Sequence, residues 1–233
     1  MRGKFGFFLQ DLLERGTDLL FPPRCAGCGR LGTVWCRACD QSMVRLTDAI
    51  CPRCGKLLAG SDCPFCRERR LPLRVRSYAL YEGALARALL HLKYHPDRRL
   101  AGVMGSWLAE VVARERWQAD MVVAVPLDAA RQRQRGYNQA NLIASAMAQR
   151  AQLPFAEDAL QRTRHTPSQV GLGPDERWEN VEGAFRARGE SVRGRRVILV
   201  DDLCTTGATL SACARSMKSA GARRILGLTV GRA

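Results

Sequence analysis

Residues 197–209 read VILVDDLCTTGAT, and this stretch decides the fold. Val197 to Val200 form a short apolar run rich in β-branched residues, the pattern of a strand buried on both faces of a parallel sheet. Asp201 and Asp202 follow at its carboxyl end, where open α/β sheets bind their ligands. Thr205, Thr206, Gly207, Ala208 and Thr209 then turn into a helix. Small residues let backbone N–H groups approach a phosphate closely, hydroxyls add donors, and the helix N-terminus favours negative charge. Each charge-assisted hydrogen bond contributes about 1.5–3 kcal/mol, so a few of them hold a dianionic group. Two adjacent carboxylates would repel that phosphate and so need a partner of their own. A ribose supplies it, because its 2′ and 3′ hydroxyls are donors.

Outward from this segment the same alternation repeats. RRVILVDD (195–202) reads as a strand, TTGATLSACARSMKSA as the helix after it, Gly221 as the C-cap, and RILGLTV (224–230) as the next strand. Upstream, MVVAVP (121–126) is a second buried run, followed by a basic loop and the helix NQANLIASAMAQRA. Further back lie the strand VRSYALY (75–81) and two helices, ALARALLHLKYH and LAGVMGSWLAEVVAR, separated by Pro96 and Asp97. Strands alternating with helices predict an α/β domain with a doubly wound parallel sheet over 75–233. Residues 163–180 are polar and unpatterned, which predicts a long loop. Phe5, Phe8, Leu9, Leu12, Leu13, Leu19 and Leu20 are spaced for an amphipathic helix within 1–23, stopped by Pro22 and Pro23.

The nucleotide-ribose reading sharpens into a resemblance. VDDLCTTGAT is similar to the 5-phosphoribosyl-1-pyrophosphate (PRPP) signature of type I phosphoribosyltransferases. There the acidic pair holds the ribose hydroxyls and the loop holds the 5′-phosphate, roles that fall to Asp201 and Asp202 and to Thr205 through Thr209. VVAVPLDAARQRQRGYNQ (122–139) resembles the pyrophosphate-loop region, with Arg131, Arg133 and Arg135 around the leaving group. RHTPSQVGLGPDERWENVEGAF (164–185) resembles the flexible loop that closes over substrate, with Arg164 and Arg177 placed to meet pyrophosphate. The combination of RGYNQ, TPSQ, RWENVEGAF and VDDLCTTGAT resembles the competence ComF family. Mg²⁺ bound with PRPP is implied, since magnesium keeps most of its waters and needs few protein ligands.

Eight cysteines precede this domain as four C-x-x-C pairs: Cys25, Cys28, Cys36, Cys39, then Cys51, Cys54, Cys63, Cys66. Paired hairpins at this spacing are metal ligands far more often than disulfide partners. Residues 24–70 hold too few large apolar side chains for a core, so the module needs metal to fold. A double Cys₄ zinc ribbon with two structural Zn²⁺ is expected. Sequential tetrads and a cross-braced arrangement, with alternate pairs sharing an ion, both satisfy the spacing. Cys204 and Cys213 read as small buried fillers.

Lysine and arginine exceed aspartate and glutamate by 15 in this 233-residue chain. Eight thiolates and two dications would lower that to about +11. Arg67, Arg69, Arg70, Arg74 and Arg76 cluster between the two modules, and Trp35, Phe65 and Tyr78 offer aromatic faces nearby. Single-stranded DNA is therefore an expected partner, and the ComF resemblance adds DNA-uptake or recombination proteins. Paired cysteines without a secretion signal point to the cytoplasm, and no run is long enough for a membrane span. The chain stops just past RILGLTV, so the hood that recognises the acceptor in type I phosphoribosyltransferases is expected elsewhere, with the cysteine module in its place. Besides a ComF-type role, two readings stay open: a small-molecule phosphoribosyltransferase of nucleotide metabolism, and a non-catalytic zinc-ribbon adaptor.

Overall fold

Four parallel strands carry the molecule in a computed structural model that describes residues 22–166 and 173–233. The cysteine segment contributes two short helices, α1 (Arg37–Gln41) and α2 (Pro64–Glu68). β1 (Arg74–Leu80), α3 (Gly83–Tyr94), α4 (Arg98–Arg114) and β2 (Met121–Ala124) follow. Next come α5 (Ala129–Arg135), α6 (Gln139–Ala151) and a small antiparallel pair, β3 (Leu160–Arg162) and β4 (Phe185–Ala187), with α7 (Pro174–Val181) between its strands. α8 (Gly189–Val192), β5 (Arg196–Cys204), α9 (Ala208–Ser219) and β6 (Arg224–Arg232) follow in turn. The main sheet has the strand order β1-β6-β5-β2. The proposed helix within 1–23 lies almost wholly outside the described residues.

Side-chain alternation divides the sheet between two cores. Val122, Ala124, Ile198 and Val200 face α3, α4 and α6, while Met121, Val123, Val197 and Leu199 face α9 and the β3–β4 pair. That two-sided burial explains why both strand runs are apolar without a break. On the first face α4 and α6 touch closely at Gly105, where a Cβ would lie 2.7 Å from the Ala146 methyl and from the Met147 nitrogen.

The cysteine module is not a separate appendage, because it covers the free edge of β1. Leu46 N–H donates to Tyr78 O at 2.8 Å, Leu80 N–H to Val44 O at 2.9 Å, and Val75 N–H to Arg53 O at 2.8 Å. An edge strand left bare would be a template for association. The module also borrows the domain's cores. Trp35 meets Trp107 edge-on at 5.3 Å, Tyr78 stacks flat on Trp107 at 5.0 Å, and Cys51 and Cys54 pack into the core under α9.

Two sequence expectations change here. The basic loop after Pro126 is helical: α5 starts at the Asp128 cap, whose Oδ1 accepts from Ala130 N–H at 3.1 Å. The segment expected to be loop contains α7, started by Pro174 and by Glu176, whose carboxylate accepts from Gly173 N–H at 2.6 Å. Proline in the first turn with acidic residues beside it is a helix start that hydrophobic periodicity misses.

Candidate functional site

β5 lifts Asp201 and Asp202 to the carboxyl end of the sheet, into a cleft of about 770 Å³. Asp202 Oδ2 accepts from Gln139 Nε2 at 3.1 Å, and Asp201 Oδ1 accepts from Asp202 N–H at 2.9 Å. Burial, together with the neighbouring Asp202 carboxylate, pushes the Asp201 carboxyl well above the ordinary carboxylate range. Thr205 to Thr209 continue the same wall. Gly207 turns the chain at φ +75°, a conformation that favours glycine, and a Cβ there would press within 3.3 Å of the Leu71 methyls. The twelve-residue helix α9 starts immediately after, so its first amide groups open onto the turn.

Of the arginines expected around a pyrophosphate, Arg131, Arg135 and Arg177 line this cleft, and Arg133 and Arg164 do not. Helical spacing separates those on α5: Arg131 and Arg135 are one turn apart, and Arg133 falls on the opposite, exposed side. Arg164 is occupied elsewhere, its guanidinium donating to Asn180 O at 3.1 Å and Glu182 O at 2.6 Å, and so it braces the end of α7. Of the TPSQ stretch, only Thr166 falls within the described residues.

Arg162 is a cleft residue that the sequence reading missed. It sits on β3 over the Phe185 ring, 5.4 Å from its centroid, and its buried Nε has no hydrogen-bond partner among the described residues. Burial pulls its ionisation downward, against the nearby Asp128 and Asp201 carboxylates. A buried donor without a partner is costly, and an anionic ligand in the cleft is a partner it lacks. Arg177 Nε is in the same position. One arginine in a three-residue strand leaves no pattern to read.

The opposite wall is built from Tyr81 and from Leu89, Leu90, Lys93 and Tyr94 of α3. No cysteine-module residue lines the cleft itself. The module reaches the site indirectly. Arg69 pairs with Asp175 and lies over the Trp178 ring at 5.1 Å, so ribbon residues hold α7, which carries Arg177. Arg69→Ala should therefore weaken PRPP binding about three- to tenfold with little change in thermal midpoint, measured by calorimetry.

The cysteines form two sequential tetrads, Cys25–Cys28–Cys36–Cys39 and Cys51–Cys54–Cys63–Cys66, with the ligand atoms of each group within 4.8 Å of one another. Sγ atoms approach to 3.7 Å (Cys25–Cys39, Cys51–Cys66) and 3.6 Å (Cys28–Cys36, Cys54–Cys63). Tetrahedral thiolates about 2.3 Å from Zn²⁺ stand roughly 3.8 Å apart, so the spheres fit that ion and the cross-braced pairing is ruled out. Burial opposes ionisation of Cys25, but the amides of Cys36, Gly27 and Cys28 outweigh it and bring the thiol down to about 6. The amides of Cys54 and Arg53 likewise outweigh burial at Cys51 and bring it to about 7. Cys204 and Cys213 are buried, as fillers should be.

A parallel sheet whose strand ends in an acidic pair and a Thr-Thr-Gly turn, facing several arginines, defines a phosphoribosyltransferase-type domain. Residues 134–230 match the family described as phosphoribosyl transferase domain, and residues 16–70 match the double zinc ribbon domain. DNA utilization protein YhgH of Escherichia coli K12 is 29% identical over 82% of this chain and 86% of its own length. Competence protein ComFC of Bacillus subtilis is 28% identical over 92% of this chain and 86% of its own. Competence protein F of Haemophilus influenzae is 34% identical over 55% of this chain and 58% of its own. The chain thus joins a double zinc ribbon to a phosphoribosyltransferase domain and is related to the competence ComF proteins.

Proposed function

We propose that this protein binds PRPP with Mg²⁺ in the cleft and acts on single-stranded DNA during DNA uptake in the cytoplasm. The observation that carries the reading is the placement of Asp201, Asp202 and Thr205–Thr209 on the same cleft as Arg131, Arg135, Arg162 and Arg177. The carboxylates accept from the ribose 2′ and 3′ hydroxyls, and the turn holds the 5′-phosphate. The arginines neutralise pyrophosphate as it leaves C1′ and an acceptor nucleophile bonds to that carbon, while the carboxylate pair favours the positive charge that develops on the sugar in between. Mg²⁺ would sit beside the Asp201 and Asp202 oxygens, hard donors suited to it, and supply charge neutralisation for the leaving group. Two structural Zn²⁺ in the tetrads hold the module on the β1 edge.

For the nucleic acid, the names of the competence and DNA-utilization relatives and the net charge support the reading, and side-chain exposure narrows the residues proposed for it. Arg76 is buried, its Nε 2.9 Å from Glu115 Oε1, and Arg69 is held by α7, whereas Arg67 and Arg70 are exposed. Tyr78 is buried against Trp107, so it offers no stacking face. Tyr94, 64% exposed at the cleft mouth, does. If about five phosphates are contacted, log K should fall with log salt at a slope of about −3.5. Arg67→Ala with Arg70→Ala should reduce it by about 1.4 and leave PRPP affinity intact, read from salt titrations of a labelled oligonucleotide. A flat salt dependence in the parent would remove the DNA partner and favour the small-acceptor enzyme.

A further inference from the structure

A second concavity opens at the other end of the sheet, at the amino ends of β1 and β6, and shares no lining residue with the cleft. It is a groove of about 810 Å³ between the second cysteine tetrad and α9. Arg74, Arg215, Lys218, Arg223 and Arg224 line it and are all exposed. No acidic residue lines it, and none of these five cations is in an ion pair among the described residues. Elsewhere the chain does pair its arginines with acids, as Arg196 with Asp120 at 2.6 Å and Arg76 with Glu115. With the half-buried Arg53, which donates to Leu71 O at 3.2 Å, six cations surround one concavity with no carboxylate between them. They repel one another, and a bound polyanion would remove that repulsion.

The lining between the cations distinguishes the kinds of polyanion. Leu73, Ile225 and Leu226 form an apolar floor, with Pro52 and Pro72 exposed at one wall. No aromatic side chain lines the groove, so a single strand of nucleic acid would find phosphate contacts there without stacking faces. An acidic peptide segment carrying apolar side chains matches both features, carboxylates on the guanidinium groups and side chains on the floor. We propose that this groove docks an acidic, apolar-anchored segment of a partner protein. It is independent of PRPP binding and leaves the cleft free for substrate.

The test is a displayed library of random dodecapeptides, panned on the full zinc-loaded chain and then on Arg223→Glu with Arg224→Glu. The expected result is a consensus of acidic residues around one or two apolar ones, enriched on the parent and lost on the variant. A labelled synthetic copy of that consensus should bind at least tenfold more weakly to the variant and to Lys218→Ala with Arg74→Ala. PRPP affinity and thermal midpoint should match the parent in both variants, which shows that neither fold nor cleft has changed. The proposal is overturned by the absence of a consensus, by peptides that bind parent and variants alike, or by full displacement of the peptide with a (dT)₂₀ oligonucleotide. That last result would assign the groove to nucleic acid instead.

Discussion

Stripping metal from the two cysteine tetrads should unfold the chain well beyond residues 24–70. Protein purified without chelator should carry two zinc ions, and a strong chelator should release both with a large drop in thermal midpoint. Structural Zn²⁺ contributes roughly 10–16 kcal/mol in isolated zinc-finger peptides, which equals or exceeds the roughly 5–15 kcal/mol net stability of a whole domain. The loss should spread because the module is the neighbour of β1 on its free side, through Leu46, Leu80 and Val75. It also supplies Trp35 to the stack with Trp107, and Cys51 and Cys54 to the core under α9. Near-UV circular dichroism, sensitive to the packing of rings such as the stacked Tyr78–Trp107 pair, reports that spread while elemental analysis counts the metal. A zinc content near zero in protein whose module is still folded would remove the metal from the account.

The parts of this molecule that were readable in sequence are those whose physics is local. Val197–Val200 and Met121–Ala124 announced buried parallel strands, because a strand covered on both faces must be apolar at every position. The paired cysteines announced tetrads, because a knuckle needs its two ligands close in sequence. The choice between sequential and cross-braced pairing was not local, since spacing satisfies both and only the placement of the Sγ atoms decides. Roles that depend on which way a helix faces were also hidden. Arg131, Arg133 and Arg135 look equivalent as a string, and become inequivalent only when α5 coils them. Arg162 and the α3 wall were invisible for a related reason: each joins the cleft through packing of distant segments. The cysteine module's place on the β1 edge belongs to the same class, because an edge is a property of strand order and not of any strand's sequence.

Replacing Asp201 and Asp202 together by asparagine should weaken PRPP binding by about 2–4 kcal/mol, or about 30- to 1000-fold, through loss of charged acceptors for the ribose hydroxyls. The same change should not weaken the ligand-free fold. Asp201 has its carboxyl raised above its unfolded value by burial and by Asp202, so the folded state holds that proton more tightly. For such a group the favourable contribution exists at low pH and is lost as pH rises from the unfolded value through the folded one. Above the unfolded value the parent therefore bears a cost at Asp201, whether in holding the proton or in charging the pair, and Asp201→Asn removes it. The ligand-free variant should melt at or above the parent's midpoint at neutral pH, and its stability should fall less as pH is raised from the acid side. The side-chain carbonyl that Asp202→Asn leaves in place would still accept from Gln139 Nε2, so the wall of the cleft keeps its hydrogen bond. Calorimetric titration with PRPP and Mg²⁺, paired with melts across pH, separates the two effects. Binding equal to the parent's would place the ribose elsewhere, whereas weak binding in a destabilised variant would show that the carboxylates serve the fold.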